Sequence, residues 1–584
     1  MQGEKEQGKK LSKKRKNWVI LSLLVVVLLS AFLRIHPLFE YFIWGSDSGE
    51  YYFITEHLVE ESTVPQDYKG WGFAYPYFTG MENLAAAFHF TSGLSLFFSL
   101  FVFIPLASSL LVLPIFLIAQ EISHDHRISL LSSAIVAVIS PSVFTTSHPM
   151  PGALGDFLNL VAILIFLAIL KYHKNENKLL LLFLFVSMSV ALTHHLSFYF
   201  LFVTLFFVTC FEILLNFNKK HFRIELVLIF FLVLLPPLYW ALAFPKFREN
   251  VMDKTVKIGV ITTDESFLPF FVVLPLALFL ISIFFYFLYL KRNKFRERLV
   301  ISDLKITYLK LLSGIGLLFF FLFYVAYFGV PGTDMKVPSS LPLFFAPFAF
   351  LLGFAFVGRT PLRFSEKNFF LYGWFAGLTF SFLVNTALDS KVLLGYRHLQ
   401  YLVEPAALFA AFGIVFFHDF LLSLKIEHKK KKRCFSTAYV VFVSLVVSSL
   451  MFSAYPPPSI TGGFEEGTTV QEFESVLWIA ENIQQEEKIV TDHRMSSMVF
   501  GFAKHPASWD SYREVYMAEN YEKIEGIMSE NNLRFVLLTQ SIKRGVALEQ
   551  WENAEPMSKM AREKFKSEPF IKIYANEDGE LYMR

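Results

Sequence analysis

The sequence predicts a polytopic α-helical membrane protein with about thirteen transmembrane helices and a small C-terminal α/β domain. Three observations predict this fold. Of 584 residues, 54% are hydrophobic, which is more than a water-soluble protein of this length can bury. Apolar runs of about 20 residues, the length that spans a bilayer, recur as far as residue 454. Beyond that point short strand patterns alternate with amphipathic helix patterns.

The membrane topology follows from the distribution of positive charge. Residues 1–17 form a basic tail, and no A-x-A cleavage site follows the first apolar run, so we interpret that run as a retained helix. Lysine and arginine clusters then fall in alternate loops, which the positive-inside rule places with the tail in the cytoplasm. The predicted spans lie near 18–43, 93–120, 129–147, 153–170, 179–193, 196–216, 224–243, 267–290, 308–330, 339–357, 368–386, 398–418 and 434–454.

The chain divides into the tail, a transmembrane domain over 18–454 and a domain over 455–584. The loop 44–92 and the C-terminal domain are expected on the extracytoplasmic side of the cell membrane. In that domain we expect a helix at 470–480, strands at 488–491 and 535–538, a helix near 517–530 and a hairpin at 570–583. The net charge of +3 gives no reason to expect a nucleic-acid partner, and two cysteines cannot build a disulfide framework.

An acidic pair opens the long loop. Asp47 and Glu50 lie in the stretch Gly45-Ser46-Asp47-Ser48-Gly49-Glu50, directly after a transmembrane helix. Carboxylates in such a turn bind a divalent cation or remove a proton from an acceptor. The alternative is that Asp47 only caps a helix that starts at Ser48.

A second acid lies in the next extracytoplasmic turn. Asp156 and Asn159 are three residues apart and therefore share one helical face, and His148 lies nearby in the sequence. A carboxylate at the membrane edge usually has a partner, which indicates a site. Here too the alternative is helix capping.

Two further groups carry polar side chains at the same side of the membrane. His194 and His195 end an apolar run, and one of them is suited to contact a phosphate or a sugar. Arg397, Tyr401 and Glu404 share a helical face, and an arginine at the mouth of a bundle suits bidentate phosphate recognition. An internal ion pair between Arg397 and Glu404 is the competing interpretation.

In their order along the chain, these features resemble the GT-C class of polyprenyl-phosphate-dependent glycosyltransferases, most closely the catalytic subunit of oligosaccharyltransferases and its archaeal relatives. The stretch 45–52 looks like the first acidic motif of that family, and Gly155-Asp156 falls where the second occurs. The stretch 397–405 is similar to a late helix whose arginine contacts the lipid-linked phosphate. The chain departs from the family in lacking a WWDYG sequence, the sequon-recognition element, and in a short loop at 330–338.

The resemblance implies a transferase that moves a sugar from a polyprenyl (dolichyl) phosphate donor to a protein, lipid or glycan acceptor. We expect Asp47 to act as base or metal ligand, with Glu50 and Asp156 assisting it. Asp47 and Asp156 would hold any divalent cation, Mg²⁺ or Mn²⁺. Arg397 and Tyr401, with His194 or His195, would bind the departing phosphate. The alternatives are a polytopic transporter, a lipid-linked-sugar flippase and a non-catalytic relative.

Overall fold

The fold was examined in a computed structural model. The structure describes residues 2–72, 74–172, 176–216, 228, 231–232, 239, 304–329, 344–359, 361–362, 368–388, 395–423, 429–457, 466–508, 513–545 and 555–584. We number the described helices and strands in chain order. The predicted spans near 224–243 and 267–290 lie outside the described residues, apart from four positions in the first of them, and so does the loop 330–338.

The first part of the chain is helical, apart from one short strand. Its helices are α1 (Gln2–Ile35), α2 (Ser48–Glu61), α3 (Gly80–Ser92), α4 (Leu96–Phe98), α5 (Ile104–Ser109), α6 (Val112–Ser123), α7 (His126–Val138), α8 (Ser140–Thr146), α9 (Pro151–Lys171), α10 (Glu176–Thr193) and α11 (His195–Asn216). Strand β1 (Ile43–Trp44) follows α1, and 3-10 turns lie at His36–Phe39 and Tyr75–Tyr77. The later helices are α12 (Leu304–Phe328), α13 (Ala346–Gly358), α14 (Phe369–Leu388), α15 (Gly395–Ser423) and α16 (Lys429–Phe452).

Seven described helices are long and apolar enough to cross a membrane, or eight if the bent pair α7 and α8 forms one span. They comprise Lys16–Phe39, Leu96–Ser123, Pro151–Lys171, His195–Glu212, Phe369–Thr386, Arg397–Ser423 and Cys434–Phe452. Three shorter apolar helices coincide with predicted spans near 179–193, 308–330 and 339–357. A multi-pass membrane protein is therefore confirmed, and the number thirteen and the orientation stay predictions.

A buried arginine fixes the packing of α1 against α8. The guanidinium of Arg34, fully buried, donates to the hydroxyl of Thr146 at 2.7 Å and to that of Ser142 at 3.1 Å. It also donates to Ser30 Oγ on its own helix at 2.8 Å. Such a charge inside a helical bundle must be surrounded by hydrogen-bond acceptors, and these serines and threonines provide them.

The C-terminal part is an α/β unit, as predicted. Its elements are β2 (Gly467–Thr468), α17 (Val470–Asn482), β3 (Ile489–Val490), α18 (His493–Met498), β4 (Ala507–Ser508), α19 (Arg513–Met517), α20 (Glu525–Glu530), β5 (Phe535–Thr539), α21 (Gln540–Arg544), α22 (Lys559–Glu563), β6 (Ile571–Ala575) and β7 (Gly579–Met583). Five strands form one sheet in the order β4-β3-β5-β7-β6. Strand β3 is parallel to β4 and β5, whereas β7 is antiparallel to β5 and to β6.

The helix expected near 517–530 is replaced by two short helices, α19 and α20. Between them the side chain of Asn520 accepts a hydrogen bond from the amide of Lys523 at 3.3 Å, an arrangement that competes with helical pairing. The amino group of Lys564 donates to the carbonyls of Tyr516 and Ala518 at 2.9 and 2.7 Å. These bonds satisfy the end of α19, so the helix stops there.

The C-terminal domain is joined to the segment that follows α1. Strands β1 and β2 pair antiparallel, with Ile43 opposite Thr468 and Trp44 opposite Gly467. A single apolar core then continues from the loop segment into the face of the sheet that carries Ile489. Because this core is shared, the position of the loop relative to the domain is fixed by burial of apolar surface.

Candidate active site

The turn before Asp47 is held by the C-terminal domain. Beyond β1, the amide of Gly45 donates to the carbonyl of Glu466 at 3.0 Å. The next amide, that of Ser46, donates to the Glu466 carboxylate at 2.7 Å. Gly45 has a φ of +120°, a backbone conformation that other residues rarely adopt, so a glycine is needed for the chain to turn here.

The side chain of Asp47 does not cap the helix that it precedes. Helix α2 begins at Ser48 and Asp47 occupies the N-cap position, yet its carboxylate makes no capping bond. Its Oδ2 accepts a hydrogen bond from the hydroxyl of Tyr75 at 2.9 Å. Its Oδ1 lies 3.5 Å from Nε2 of His493, a residue of the C-terminal domain. The carboxylate therefore faces the space between the loop and the domain.

Burial sets the protonation of this carboxylate. It raises the pKa of Asp47 to about 6, while the Tyr75 hydrogen bond and the charges of Arg397 and His148 act in the opposite direction. Burial also lowers the pKa of His148 to about 4, so that imidazole is neutral at physiological pH. A carboxylate with a pKa of about 6 is ionised at neutral pH and is well matched to accept a proton.

Glu50 lies beside Asp47 but in a different environment. It is buried, and the hydroxyl of Tyr68 donates to its carboxylate. Burial and the nearby charge of Asp47 raise the pKa of Glu50 well above its ordinary value. Two neighbouring carboxyl groups with unlike surroundings are suited to different roles, one ionised and one protonated.

Arg397 reaches the same region from α15. Its guanidinium is in electrostatic contact with Asp47 and with His148. One of its amino groups, Nη1, lies 3.5 Å from Sδ of Met150. His194 and His195 are within electrostatic range of the same guanidinium. Arg397 is thus within electrostatic range of Asp47 on one side and of both predicted histidines on the other.

The orientation of His194 is fixed by its neighbours. The amide of Ser197 donates to Nδ1 of His194 at 3.2 Å, so Nδ1 is an acceptor and a neutral ring carries its proton on Nε2. The hydroxyl of Ser197 is 2.8 Å from that Nδ1 and 2.7 Å from the hydroxyl of Tyr401. Tyr401 is therefore connected to His194 through one serine. The ring of His195 packs against Phe78, with 5.0 Å between centroids.

Asp156 belongs to an adjacent, fully buried group. It is the sixth residue of α9, too far into the helix to act as its cap. Its Oδ2 accepts a hydrogen bond from Nε2 of Gln400 at 3.1 Å, and its carboxyl is electrostatically coupled to that of Glu404. Glu404 thus lies against Asp156 rather than forming the alternative ion pair with Arg397. Tyr401 is electrostatically coupled to Asp156 and to Arg397, so it lies between the two groups.

The predicted metal ligands are the carboxylates of Asp47 and Asp156. One oxygen of Asp47 and one of Asp156 accept no hydrogen bond from the residues that the structure describes. Within those residues, however, no three His, Cys, Asp or Glu side chains converge to hold a metal ion. The described side chains therefore do not by themselves form a complete set of ligands, and a Mg²⁺ or Mn²⁺ site at Asp47 and Asp156 stays a prediction.

Sequence reasoning did not identify Tyr75 or His493 as part of this site. Tyr75 lies in an aromatic stretch of the loop, where nothing in the sequence distinguishes it from its neighbours. His493 follows the strand β3 directly, and polar residues at the carboxyl end of a buried parallel strand are a recognised indication of a site. Its ring lies edge to face with Trp71, with 4.8 Å between centroids.

Among solved structures, the fold is found in oligosaccharyltransferases. The Archaeoglobus fulgidus oligosaccharyltransferase tethered to an acceptor peptide containing the NVT sequon superposes with a TM-score of 0.60 and 15% identity, over 91% of this chain and 70% of that one. The complex of that species' enzyme AglB with an inhibitory peptide and a dolichol-phosphate gives 0.56 and 13%, over 92% and 75%. A complex of the A. fulgidus enzyme with Zn and sulfate gives 0.55 and 16%, over 90% and 68%.

The fold of the chain is therefore the fold of oligosaccharyltransferases of known structure, as the resemblance predicted. The particular proteins that show this are archaeal oligosaccharyltransferases, to which the chain is similar over most of its length. At 13 to 16% identity the likeness establishes the fold alone. No protein-family model matches the sequence, and a search of curated proteins gives no match.

Proposed function

We propose that the protein is a membrane glycosyltransferase that moves a sugar or oligosaccharide from a polyprenyl-phosphate donor to an acceptor at the extracytoplasmic face. The observation that supports the proposal is the position of the Asp47 carboxylate, which accepts from Tyr75, lies 3.5 Å from His493 and is within electrostatic range of Arg397. A base and a phosphate-binding cation are the two groups that this transfer needs. The fold shared with enzymes whose structures contain dolichol-phosphate and acceptor peptide supports it.

In the proposed reaction Asp47 is the base. Its carboxylate accepts the proton of the acceptor hydroxyl or amide, and the acceptor atom attacks the anomeric carbon. One glycosidic bond forms, the bond from the anomeric carbon to the phosphate oxygen breaks, and the electron pair leaves with the polyprenyl phosphate. Arg397 neutralises that phosphate, and the Nε2–H of His194 is a second donor.

The remaining predicted residues support these groups. Burial and the charge of Asp47 raise the pKa of Glu50 well above its ordinary value, which would limit the negative charge at the site. Tyr401 links His194 to the Asp156 group, so Asp156 would act through that link rather than on the substrate itself. A divalent cation would act as a Lewis acid at the phosphate, which side chains that donate hydrogen bonds cannot do.

The test is a transfer assay on the purified full chain in proteoliposomes with radiolabelled polyprenyl-phosphate sugars. Replacing Asp47 by Asn removes the base but preserves size, so transfer should fall by about 10²- to 10⁴-fold. Asp67→Asn is the matched control, since Asp67 is an exposed acid of the same loop. Wild-type transfer by the Asp47→Asn protein with unchanged thermal unfolding would exclude the assignment.

A lipid-linked-sugar flippase is the second candidate, and one observation favours it. Arg34, Asp156 and Glu404 are buried inside apolar helices, where charged groups often line a transport path. The same proteoliposomes distinguish the two functions. Movement of labelled lipid between leaflets without a labelled acceptor would support the flippase, whereas labelled acceptor that depends on Asp47 supports the transferase.

A further inference from the structure

The start of helix α2 is capped by a residue from outside the helix. The first amides of a helix have no partner within it, and a side chain at the N-cap position usually accepts from them. Here the hydroxyl oxygen of Ser497 accepts from the amide of Gly49 at 3.0 Å. It also accepts, at 3.2 Å, from the amide of Glu50, which is shared with the carbonyl of Asp47 at 3.0 Å. Ser497 lies in the C-terminal domain and is fully buried.

This arrangement leaves the carboxylate of Asp47 available for other contacts. Asp47 is at the N-cap position, and without Ser497 its own side chain would be the nearest acceptor for the amides. With the amides already satisfied, the carboxylate turns to Tyr75 and to His493. His493 and Ser497 are four residues apart in α18, so they present the same face to α2.

The contact between α18 and α2 is close and rigid. A Cβ atom on Gly49 would lie 1.9 Å from the carbonyl oxygen of Ser497, so only a glycine permits the two backbones to approach this closely. The ring of Phe502 stacks on that of Tyr52 with 4.1 Å between centroids. An Asp492 side chain in turn caps α18, accepting from the amide of Met495 at 2.8 Å. The first amides of α2 and the hydroxyl of Ser497 are thus each held in place by the packing of their own helix.

We infer that Ser497 and His493 are positioning residues of the C-terminal domain: Ser497 takes over the capping of α2, and His493 limits the space open to the released Asp47 carboxylate, whose Oδ1 lies 3.5 Å from its Nε2. This inference rests on the proposed function, in which Asp47 is the base. It assigns the C-terminal domain a part in forming the catalytic group, in addition to any part in binding the acceptor.

The test compares Ser497→Ala, Ser497→Thr and the control Ser475→Ala. Ser475 is a buried serine of α17 whose hydroxyl donates to the carbonyl of Gln471 in its own helix. In Ser497→Ala the carboxylate of Asp47 should rotate to cap α2, lowering kcat about 10- to 100-fold with donor KM changed less than twofold. Ser497→Thr keeps the hydroxyl and should restore kcat to within about threefold of wild type.

The pH profile separates positioning from a merely structural role. A carboxylate that accepts amide bonds at a helix start is stabilised in its ionised form, so the acidic limb of the rate profile should move to lower pH in Ser497→Ala. His493→Gln should reduce kcat without moving the limb as far, because a neutral ring exerts little charge effect. The groups that face Asp47 and titrate or carry charge are Glu50, Tyr51, Tyr75, His148, Arg397, Glu466 and His493.

A second readout does not depend on activity. Carbodiimide modifies protonated carboxyl groups, and mass spectrometry of the labelled full chain at a series of pH values gives the titration midpoint of Asp47. A titration midpoint of Asp47 that is lower in Ser497→Ala than in wild type and Ser497→Thr supports the inference. If the wild-type chain transfers no sugar, that result overturns only the proposed function, and the midpoints still test the inference. Equal midpoints, or equal losses in the Ala and Thr variants, would overturn the inference.

Discussion

Replacing Gly49 by alanine tests whether the site is assembled between α2 and the C-terminal domain. The new Cβ would lie 1.9 Å from the carbonyl oxygen of Ser497, whereas ordinary contact begins at 3.4 Å, so the two backbones must separate by about 1.5 Å. Such overpacking costs about 1–3 kcal/mol of unfolding free energy. A displacement of about 1 Å at a catalytic group is worth about 10²-fold in rate, so transfer should fall by at least that factor.

The assay measures transfer by the purified variant together with its thermal unfolding. Gly526→Ala is the matched control, because Gly526 lies in helix α20 of the same domain and its Cβ would meet nothing within 4 Å. That variant should keep wild-type transfer and unfold at the same or a slightly higher temperature. If Gly49→Ala transferred sugar at the wild-type rate and unfolded normally, the close approach of the two segments would not be needed, and the proposed assembly would be refuted.

Three further predictions concern pH, donor binding and stability. The transfer rate should fall as the pH drops below about 6, where Asp47 becomes protonated. Tyr75→Phe removes a hydrogen bond to the ionised carboxylate of Asp47. The acidic fall in the kcat/KM profile of that variant should therefore move to higher pH by about one pH unit. Arg397→Gln should raise donor KM by about tenfold or more and Arg397→Lys by less, because lysine keeps the charge but loses the bidentate geometry. The Glu472 carboxylate is buried and lies 2.5 and 2.8 Å from the guanidinium of Arg494. Arg494→Met leaves that carboxylate without its partner, so the variant should lose about 3–5 kcal/mol of unfolding free energy, measured by denaturant unfolding. A pH profile that Tyr75→Phe leaves unchanged would contradict the first prediction, and equal donor KM values for the two Arg397 variants would contradict the second. A loss of unfolding free energy below about 1 kcal/mol in Arg494→Met would contradict the third.

Periodic patterns predicted most of the fold. Transmembrane helices need only length and apolar composition, so seven of the expected spans appear among the described helices without tertiary information. Four strands of the C-terminal domain were also visible, β3 and β5 as short apolar runs and β6 with β7 as a hairpin around a turn, whereas the two-residue strands β2 and β4 were not predicted. The interruption between α19 and α20 was missed, since it depends on bonds from Asn520 and on Lys564, which is distant in sequence.

The site was only partly predictable. Asp47 and Arg397 stood out because charged residues are rare beside apolar runs, and the structure brings them together. Tyr75 and Ser497 could not be found, since their contacts with the start of α2 exist only in the folded chain. His493 was missed although it lies just beyond a buried parallel strand. The roles of Glu50, Asp156, His194, His195 and Tyr401 in transfer stay predictions.

The most direct measurement of the central claim is mass spectrometry of lipid-linked sugars and surface glycans from cells that lack the protein. Loss of the gene should leave polyprenyl-phosphate sugars to accumulate while a surface glycan disappears, and the wild-type chain, but not the Asp47→Asn chain, should reverse both changes. An unchanged glycan and lipid profile, or full complementation by Asp47→Asn, would contradict the proposal that this buried carboxylate carries out sugar transfer.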